Sequence, residues 1–208
     1  MTLISPLSPS APTNPITTII PTGGDMTTTT PATDTTPRAW IGCLACYNDG
    51  RLVGDWFDAA SADEVTTYDI HGAHSRADSH DELRVFDHEN IPVRGELDPL
   101  AAAAWGRCLT EVDEHLRPAL CAWVESGDYV AEGTGDLPSI SDFEERYQGH
   151  WESFEDYARK LAYDIDLLAD VPEEIARYFD WDSWTRDLAF DYTTHDDPDG
   201  GVFVFRVF

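Results

Sequence analysis

The chain has 208 residues, of which 40 are Asp or Glu and 13 are Lys or Arg, so its formal net charge is −27. Such a charge repels phosphate groups within a Debye length, which excludes binding to nucleic acid or to an anionic membrane through bulk electrostatics. Hydrophobic residues make up 42% of the chain, enough for packed cores, and the composition therefore predicts a folded protein with basic partners.

Residues 1–37 differ from the rest because they are rich in Pro and Thr and contain no Lys or Arg. A secretory signal needs a basic start and an unbroken apolar stretch, and Pro6, Pro9 and Pro12 interrupt this segment. We interpret it as a disordered leader, or as the result of a misassigned start with Met26 as the initiator. No apolar run approaches the roughly 20 residues that span a bilayer, so we expect a cytoplasmic protein without membrane association.

Residues 38–95 are predicted to form a small α/β domain, a three-stranded sheet with one short helix. Asn48-Asp49-Gly50 is a strong hairpin signal between two apolar runs. Ser61 is predicted to begin the helix, which continues through Val65. The predicted strands are residues 40–47, 51–57 and 83–87.

The four cysteines are expected to be reduced thiols, since the chain carries no export signal. Cys43 and Cys46 have C-x-x-C spacing, but an offset of three in a strand points the two sulfur atoms to opposite faces. We interpret them as packed core thiols, with zinc or redox chemistry as the alternative. A loose group of His71, His74 and His80 with Asp69 is explained equally well by a polar loop. The sequence therefore predicts no metal site and no cofactor.

Residues 96–137 are predicted to form a helical domain. Asp98 is a suitable N-cap with Pro99 at the first helical position, and apolar residues follow at helical spacing. A second helix is predicted from Arg117 to Gly127, because Pro118 fits only in a first turn. The two helices are expected to form a hairpin.

Residues 138–208 are predicted to form an α+β domain that begins with helices. Capping-box patterns start at Ser141 and Ser153, and the apolar stripe after Ser153 continues to Leu168. Further helices are predicted from Pro172 and over residues 180–188. The last run is apolar on both faces, so it is predicted to be central in a sheet or covered by a partner subunit; it spans residues 202–208.

The acidic residues are spread over the whole fold and are densest near its end, where residues 139–199 contain 18 acidic and 5 basic residues. A solvated acidic surface is one explanation, and carboxylates that replace DNA phosphates are the other. The sequence has no Gly-rich phosphate loop, no G-x-S-x-G and no H-E-x-x-H. We therefore expect that the protein is not an enzyme, although an unrecognised acidic site stays open as a hypothesis.

Five segments resemble the ArdA antirestriction family, namely residues 43–58, 143–149, 151–158, 178–188 and 200–206. The resemblance implies an elongated dimer with three small domains that mimics DNA. It implies that the protein occupies the DNA-binding groove of type I restriction-modification enzymes, in their methyltransferase core, and so protects incoming mobile DNA. The family's antirestriction motif would lie at residues 167–187, near the dimer contact.

Two sets of residues are candidates for these roles. The proposed DNA-mimic carboxylates face solvent beside the predicted helices of the C-terminal domain; they are Asp142, Glu145, Glu152, Glu155, Asp156 and Asp166. The candidates for the dimer contact and the antirestriction motif are mostly aromatic; they are Asp170, Tyr178, Phe179, Trp181, Trp184, Phe203 and Phe205. An alternative function is an acidic interaction module that sequesters another basic DNA-binding protein.

The number of carboxylates supports an elongated shape. Residues 38–208 contain 38 acidic residues, so a homodimer offers as many charges as the phosphates of about 38 base pairs, or roughly 130 Å of duplex. We expect only an extended dimer to lay out its carboxylates at that spacing.

Overall fold

The computed structural model describes residues 34–72, 80–132 and 135–207, which form an α+β fold with two antiparallel three-stranded sheets. Most of the predicted leader lies outside these residues. The strands are β1 (Arg38–Cys43), β2 (Gly54–Asp58), β3 (Leu83–Glu89), β4 (Tyr147–Trp151), β5 (Tyr192–Asp196) and β6 (Val202–Arg206). The helices are α1 (Leu44–Asn48), α2 (Thr67–His71), α3 (Pro99–Glu111), α4 (Arg117–Ser126), α5 (Ile140–Arg146), α6 (Phe154–Asp164), α7 (Glu173–Ala176) and α8 (Trp181–Leu188). Short 3₁₀ helices span Ala59–Glu64, Glu114–Leu116 and Ala189–Asp191.

The first sheet confirms the three predicted strands, with β1 in the centre between β2 and β3. Both pairings are antiparallel, and Trp40 lies opposite Trp56 across β1 and β2. Ala39 and Ile41 alternate with more exposed neighbours and are fully buried, because successive side chains of a strand point to opposite faces. This sheet therefore places one face of β1 in the core.

The tight turn predicted between the first two strands is wrong, although β1 and β2 pair antiparallel as predicted. The chain leaves β1 at Cys43 and forms helix α1, so Asn48-Asp49-Gly50 ends a helix instead of joining two strands. Arg51 N–H donates to Cys46 O at 2.8 Å and Gly50 N–H to Tyr47 O at 2.9 Å, with Gly50 at φ 77°. These bonds form a Schellman motif, which favours glycine for the same left-handed conformation that a tight hairpin would use.

The start of α3 and both ends of α4 agree with the prediction. The Asp98 carboxylate accepts a hydrogen bond from Ala101 N–H at 2.7 Å, and Gly127 ends α4 in the left-handed conformation at φ 81°. Gly106 of α3 packs directly against the first 3₁₀ helix, where an added Cβ atom would lie 2.3 Å from Ala60 N. Helix α3 thereby approaches the backbone of the N-terminal segment closely.

The N-caps of α5 and α6 show one wrong and one correct prediction. Ser139, not Ser141, caps α5, because its side chain accepts a hydrogen bond from Asp142 N–H at 3.3 Å. Ser153 caps α6 as predicted and accepts from Asp156 N–H at 3.2 Å.

Helix α6 is shorter than its apolar stripe predicts, since it ends at Asp164 instead of continuing to Leu168. Leu167 N–H donates to Ala162 O at 2.9 Å and Asp166 N–H to Tyr163 O at 3.1 Å. Asp166 has φ 53°, so it is the left-handed residue of a Schellman motif, a position that Asp tolerates better than most residues.

The second sheet has β6 in the centre, between β4 and β5, with both pairings antiparallel. The prediction that the last apolar run is central in a sheet is confirmed. Strands β4 and β5 were not predicted. Each has five residues, and β4 contains Gly149 while β5 is mainly polar, so neither shows the apolar alternation that identifies a strand.

One hydrophobic core joins all three predicted segments. The buried cluster includes Ile41 of β1, Leu109 of α3, Trp123 of α4 and both Phe143 and Phe205 of the C-terminal segment. The division into domains 38–95, 96–137 and 138–208 stays a prediction.

Candidate functional site

The acidic side chains of the described residues lie at the molecular surface. No polar or charged residue is buried in the part of the chain that the structure describes, as expected because burying an unpaired charge is costly. The chain has 13 Lys and Arg for 40 Asp and Glu, so most carboxylates lack a basic side chain of their own to pair with. The surface is therefore rich in carboxylates that a basic partner can neutralise.

The predicted DNA-mimic carboxylates lie on or next to α5 and α6. Asp142 is half-buried and so departs from the expectation that all six face solvent, whereas the other five are exposed as expected; those five are Glu145, Glu152, Glu155, Asp156 and Asp166. The acidic residues alternate with the buried Phe143 of α5 and Tyr157 of α6. The two apolar stripes thus determine which way the carboxylates point.

Three of these six carboxylates already have a partner within the chain. Arg146 donates to Asp142 at 3.1 Å, and Arg159 donates to Glu155 at 2.6 Å. The Ser153 hydroxyl donates to Asp156 at 2.5 Å. These bonds hold the three carboxylates in place but also use part of their capacity to accept hydrogen bonds. Glu145, Glu152 and Asp166 are therefore the more available acceptors.

Helices α7 and α8 add acidic residues that the sequence reasoning did not include in the site. They are exposed and lie within the predicted antirestriction motif; they are Glu173, Glu174, Asp182 and Asp187. Glu173 and Glu174 lie in the first turn of α7, and Asp182 lies in the first turn of α8. Acidic residues favour helix N-termini, so this pattern in the sequence was a signal for these three residues. Exposed carboxylates are therefore present in this motif as well as on α5 and α6.

The aromatic candidates of the motif form a small cluster around α8. The ring of Phe179 lies 4.8 Å from that of Trp181 and 6.3 Å from that of Trp184. The Arg159 guanidinium lies 4.8 Å from the centre of the Trp181 ring, an arrangement favourable for a cation–π contact. This cluster fixes α8 against α6, which carries two of the acidic candidates.

Phe203 and Phe205 lie elsewhere. They belong to β6 and are buried in the core, with exposures of 4% and 1%. The chain itself covers them, so their apolar character does not require a partner subunit. One of the two sequence arguments for dimerisation, the two-sided apolar strand, is thereby explained within a single chain.

Apolar side chains near α6 to α8 are exposed instead. We call them the C-terminal apolar surface; they are Tyr163, Ile165, Ile175, Tyr178 and Phe190. Tyr178 was predicted from the sequence and is 80% exposed, while Tyr163 and Phe190 reach 79% and 82%. Large exposed apolar groups are typical of interaction surfaces. Asp170, the acidic member of the predicted set, is exposed in the same segment.

Cys43 and Cys46 contradict the expectation that their sulfur atoms point to opposite faces. The two Sγ atoms lie 3.2 and 3.4 Å from Nδ1 of His80. The expectation assumed a strand through Cys46, whereas α1 begins directly after Cys43 and turns Cys46 toward the same side. Burial and the adjacent Cys43 thiol raise the pKa of the Cys46 thiol. His74 of the predicted histidine group lies outside the described residues.

Cys108 and Cys121 fit the expectation of packed thiols. Burial raises the pKa of Cys108 to about 11 and that of Cys121 to about 12. Because the thiolate is the nucleophile and these groups are neutral at physiological pH, neither is suited to covalent chemistry.

Comparisons with known proteins identify the family. A family model described as antirestriction protein (ArdA) matches residues 39–202, which is most of the chain. A search among curated proteins found no match. None of the helices in residues 34–72, 80–132 and 135–207 is both long and apolar enough to cross a bilayer.

Proposed function

This chain belongs to the ArdA family of antirestriction proteins, and from that membership we propose that it inhibits type I restriction-modification enzymes by occupying their DNA-binding groove. Its carboxylates take the place of DNA phosphates in contacts with the methyltransferase core, which protects incoming mobile DNA in the cytoplasm. The observation that carries this proposal is a net charge of −27 on a described surface whose acidic residues are all at least partly exposed.

Inhibition of this kind needs surface and no reactive group. A groove that binds duplex DNA presents Lys and Arg side chains to phosphates, and carboxylates accept charge-assisted hydrogen bonds from the same donors. The exposed Glu145, Glu152 and Asp166 are free to accept such bonds within the described structure. We therefore propose that the protein acts stoichiometrically and is not an enzyme.

We further propose that the active form is a homodimer joined through the C-terminal apolar surface. Five large apolar side chains exposed in one segment of about 30 residues would be unfavourable in water unless a partner covered them. A symmetric dimer buries the same surface on both copies. It also extends the acidic surface, so that the enzyme meets a longer substitute for duplex DNA.

Sequestration of another basic DNA-binding protein is the alternative function, because the same carboxylates would serve it. The family match favours restriction enzymes. A pull-down with the full chain as bait distinguishes the two, since the proposal expects a reconstituted methyltransferase core to be retained in preference to a nucleoid protein of similar charge.

The decisive experiment is a phage plating assay in strains with type I systems. We expect expression of the chain to raise the plating efficiency of unmodified phage and to leave that of modified phage unchanged. A control variant with Leu52→Ser, an exposed residue of the N-terminal segment, should be as active as the parent. Unchanged plating across several type I families, with the folded protein present, would refute the proposal.

A further inference from the structure

Two cysteines and two histidines of the N-terminal segment place their ligand atoms in one small volume. The sulfur atoms of Cys43 and Cys46 and a ring nitrogen each of His71 and His80 all lie within 4.8 Å of one another. Neither the family match nor the proposed function uses this group of residues. We call it the Cys-His cluster.

The distances in the Cys-His cluster are close to those of a tetrahedral metal centre. With Zn–S bonds of about 2.3 Å and Zn–N bonds of about 2.05 Å, a sulfur and a nitrogen ligand are separated by about 3.5 Å. The Sγ atoms of Cys43 and Cys46 lie 3.2 and 3.4 Å from Nδ1 of His80. Only small side-chain shifts are needed to bring all four ligand atoms to such separations.

His71 provides a second, independent observation. Its Nε2 atom is buried and has no hydrogen-bond partner among the described residues, although its ring packs edge-on against that of His80 with centroids 5.2 Å apart. Leaving a buried polar atom without a partner is costly. Coordination of a metal ion by the imidazole ring would explain why this histidine is held inside the cluster.

The fold brings three of the four ligands together from three separate elements, and the fourth, His80, from the chain just before β3. Cys43 ends β1 and Cys46 lies in α1, while His71 is the last residue of α2. The start of α2 is fixed because the Asp69 carboxylate accepts hydrogen bonds from the backbone N–H and the hydroxyl of Thr66, at 2.8 and 2.6 Å. Asp69 is therefore engaged in capping and is not available as a ligand.

The two thiols of the cluster are shielded from solvent. Cys43 and Cys46 are both 1% exposed, and the two histidines are half-buried. Four protein ligands complete a tetrahedral shell and leave no open position for substrate, which is typical of a structural zinc site. A set of two sulfur and two nitrogen donors in tetrahedral arrangement favours zinc over calcium, magnesium or manganese.

We propose that Cys43, Cys46, His71 and His80 bind one structural Zn²⁺ ion. The ion ties the end of β1 to α2 and to the chain that leads into β3, and so stabilises the first sheet. Both thiols bind as thiolates and release their protons to solvent, while the histidines bind as neutral imidazoles. A disulfide between Cys43 and Cys46 would compete with metal binding, but both residues are free thiols in the structure.

The test uses the full chain, purified with a thiol reductant and without chelators. We expect about one zinc ion per chain by elemental analysis. Replacement of zinc by Co²⁺ should give the visible bands of tetrahedral coordination together with thiolate charge-transfer absorption. Cys46→Ser should weaken zinc binding at least a hundredfold in a competition titration with a chromophoric chelator, and Cys121→Ser, a thiol outside the cluster, should not.

A histidine variant covers the case in which loss of a buried cysteine prevents folding. We expect His71→Gln to remain folded by circular dichroism, to bind Zn²⁺ at least tenfold more weakly and to lose the parent's Co²⁺ spectrum. The proposal is overturned if the folded, reduced parent binds no zinc in the titration. It is also overturned if His71→Gln retains the parent's affinity and spectrum, or if Cys43 and Cys46 form a disulfide under the reducing conditions used.

Discussion

The indole ring of Trp123 in α4 stacks on the ring of Phe205 in β6, with centroids 6.1 Å apart and an interplanar angle of 13°. Phe143 of α5 contacts both, at centroid distances of 5.8 and 6.1 Å. All three rings are buried, and each comes from a different element. This triangle is therefore a principal contact between the predicted helical segment and the C-terminal sheet.

Removing the Trp123 ring from this triangle should destabilise the protein strongly. We expect Trp123→Ala to lower the free energy of unfolding by about 3–5 kcal/mol, because a large buried side chain is lost and its cavity collapses only in part. Urea denaturation followed by circular dichroism measures the change. Tyr68→Ala, at a residue that is 66% exposed, should stay within about 0.5 kcal/mol of the parent; equal losses for both would contradict the role of the triangle.

Gly106 should resist substitution although it lies inside a helix. Alanine is normally better than glycine there by about 1 kcal/mol, but an added Cβ would meet the backbone around Ala60 at 2.3 Å. We expect Gly106→Ala to lower the melting temperature and the stability by about 1–3 kcal/mol, as overpacking does. Gly135→Ala is a control without overpacking, because an added Cβ there would lie 4.0 Å from Leu137 N, an ordinary contact distance. A more stable Gly106→Ala variant would show that α3 and the 3₁₀ helix can separate.

The pair of Asp63 and Arg107 should make stability depend on pH in the acidic range. Arg107 donates to both carboxylate oxygens at 2.9 and 3.1 Å, and these bonds lower the pKa of Asp63. A group with a lowered folded pKa stabilises the protein above its unfolded value of about 3.9, and this contribution is lost as the pH falls through the folded pKa.

Asp63→Asn should therefore reduce stability at pH 7 and flatten its decrease below about pH 4. Urea midpoints measured between pH 7 and pH 3 test this expectation. Arg107→Gln should reduce stability further, because it also removes the hydrogen bond from Arg107 to the Ala60 carbonyl at 3.0 Å. The double variant should add little to Arg107→Gln, since the contact with Asp63 is already lost. Strictly additive losses would indicate that the two side chains act independently.

The proposed dimer predicts a concentration-dependent molar mass. We expect light scattering to show that the parent is a dimer at micromolar concentration. The double variant Tyr178→Ser with Phe190→Ser should weaken dimerisation at least a hundredfold, because aromatic residues dominate interface energies. Leu52→Ser with Tyr68→Ser removes comparably exposed residues from another segment and should leave the dimer intact. A monomeric parent would refute this part of the proposal.

If the acidic surface binds the partner, two sets of three charge-neutralising substitutions should weaken that binding unequally. The first set changes carboxylates without a side-chain partner in the described structure; it is Glu145→Gln, Glu152→Gln and Asp166→Asn. The second changes carboxylates that bind Arg146, Arg159 or Ser153; it is Asp142→Asn, Glu155→Gln and Asp156→Asn. We expect the first set to weaken binding to the methyltransferase core more than the second.

Titration calorimetry on both triple variants and on the sixfold variant measures this difference. Any single change should alter the affinity less than about fivefold, as exposed ion pairs do, whereas all six together should cost about a thousandfold if they add. A sixfold variant that remains folded and binds like the parent would show that the contacts lie elsewhere, for example on α7 and α8.

The sequence predicted those elements that carry explicit boundary signals. Asp98 with Pro99, Ser153 and Gly127 each mark a helix end through a hydrogen bond or a backbone conformation that few residues provide, and the structure has those ends. The central position of β6 followed from its two-sided apolar pattern. The resemblance to the ArdA family is confirmed by a match over residues 39–202.

Other features depend on contacts that no local pattern contains. A short apolar run such as residues 40–47 fits a strand and a helix equally well, so the turn into α1 was missed and with it the approach of Cys46 to His80. Strand β4 is defined by its pairing with β6, a partner more than 50 residues away. The exposure of Phe190 and the burial of Phe203 likewise depend on how distant segments pack.

The central position of β6 also determines when the second sheet can form during synthesis. Strands β4 and β5 precede β6 in the chain, and among the described residues β6 is the strand with which both of them pair. The ribosome therefore releases both outer strands before the strand that connects them. Phe205, which completes the ring triangle with Trp123, arrives at the same late moment. Until residues 202–206 emerge, this half of a highly acidic chain lacks its sheet, so the sheet is completed by non-local contacts only after both outer strands have been synthesised.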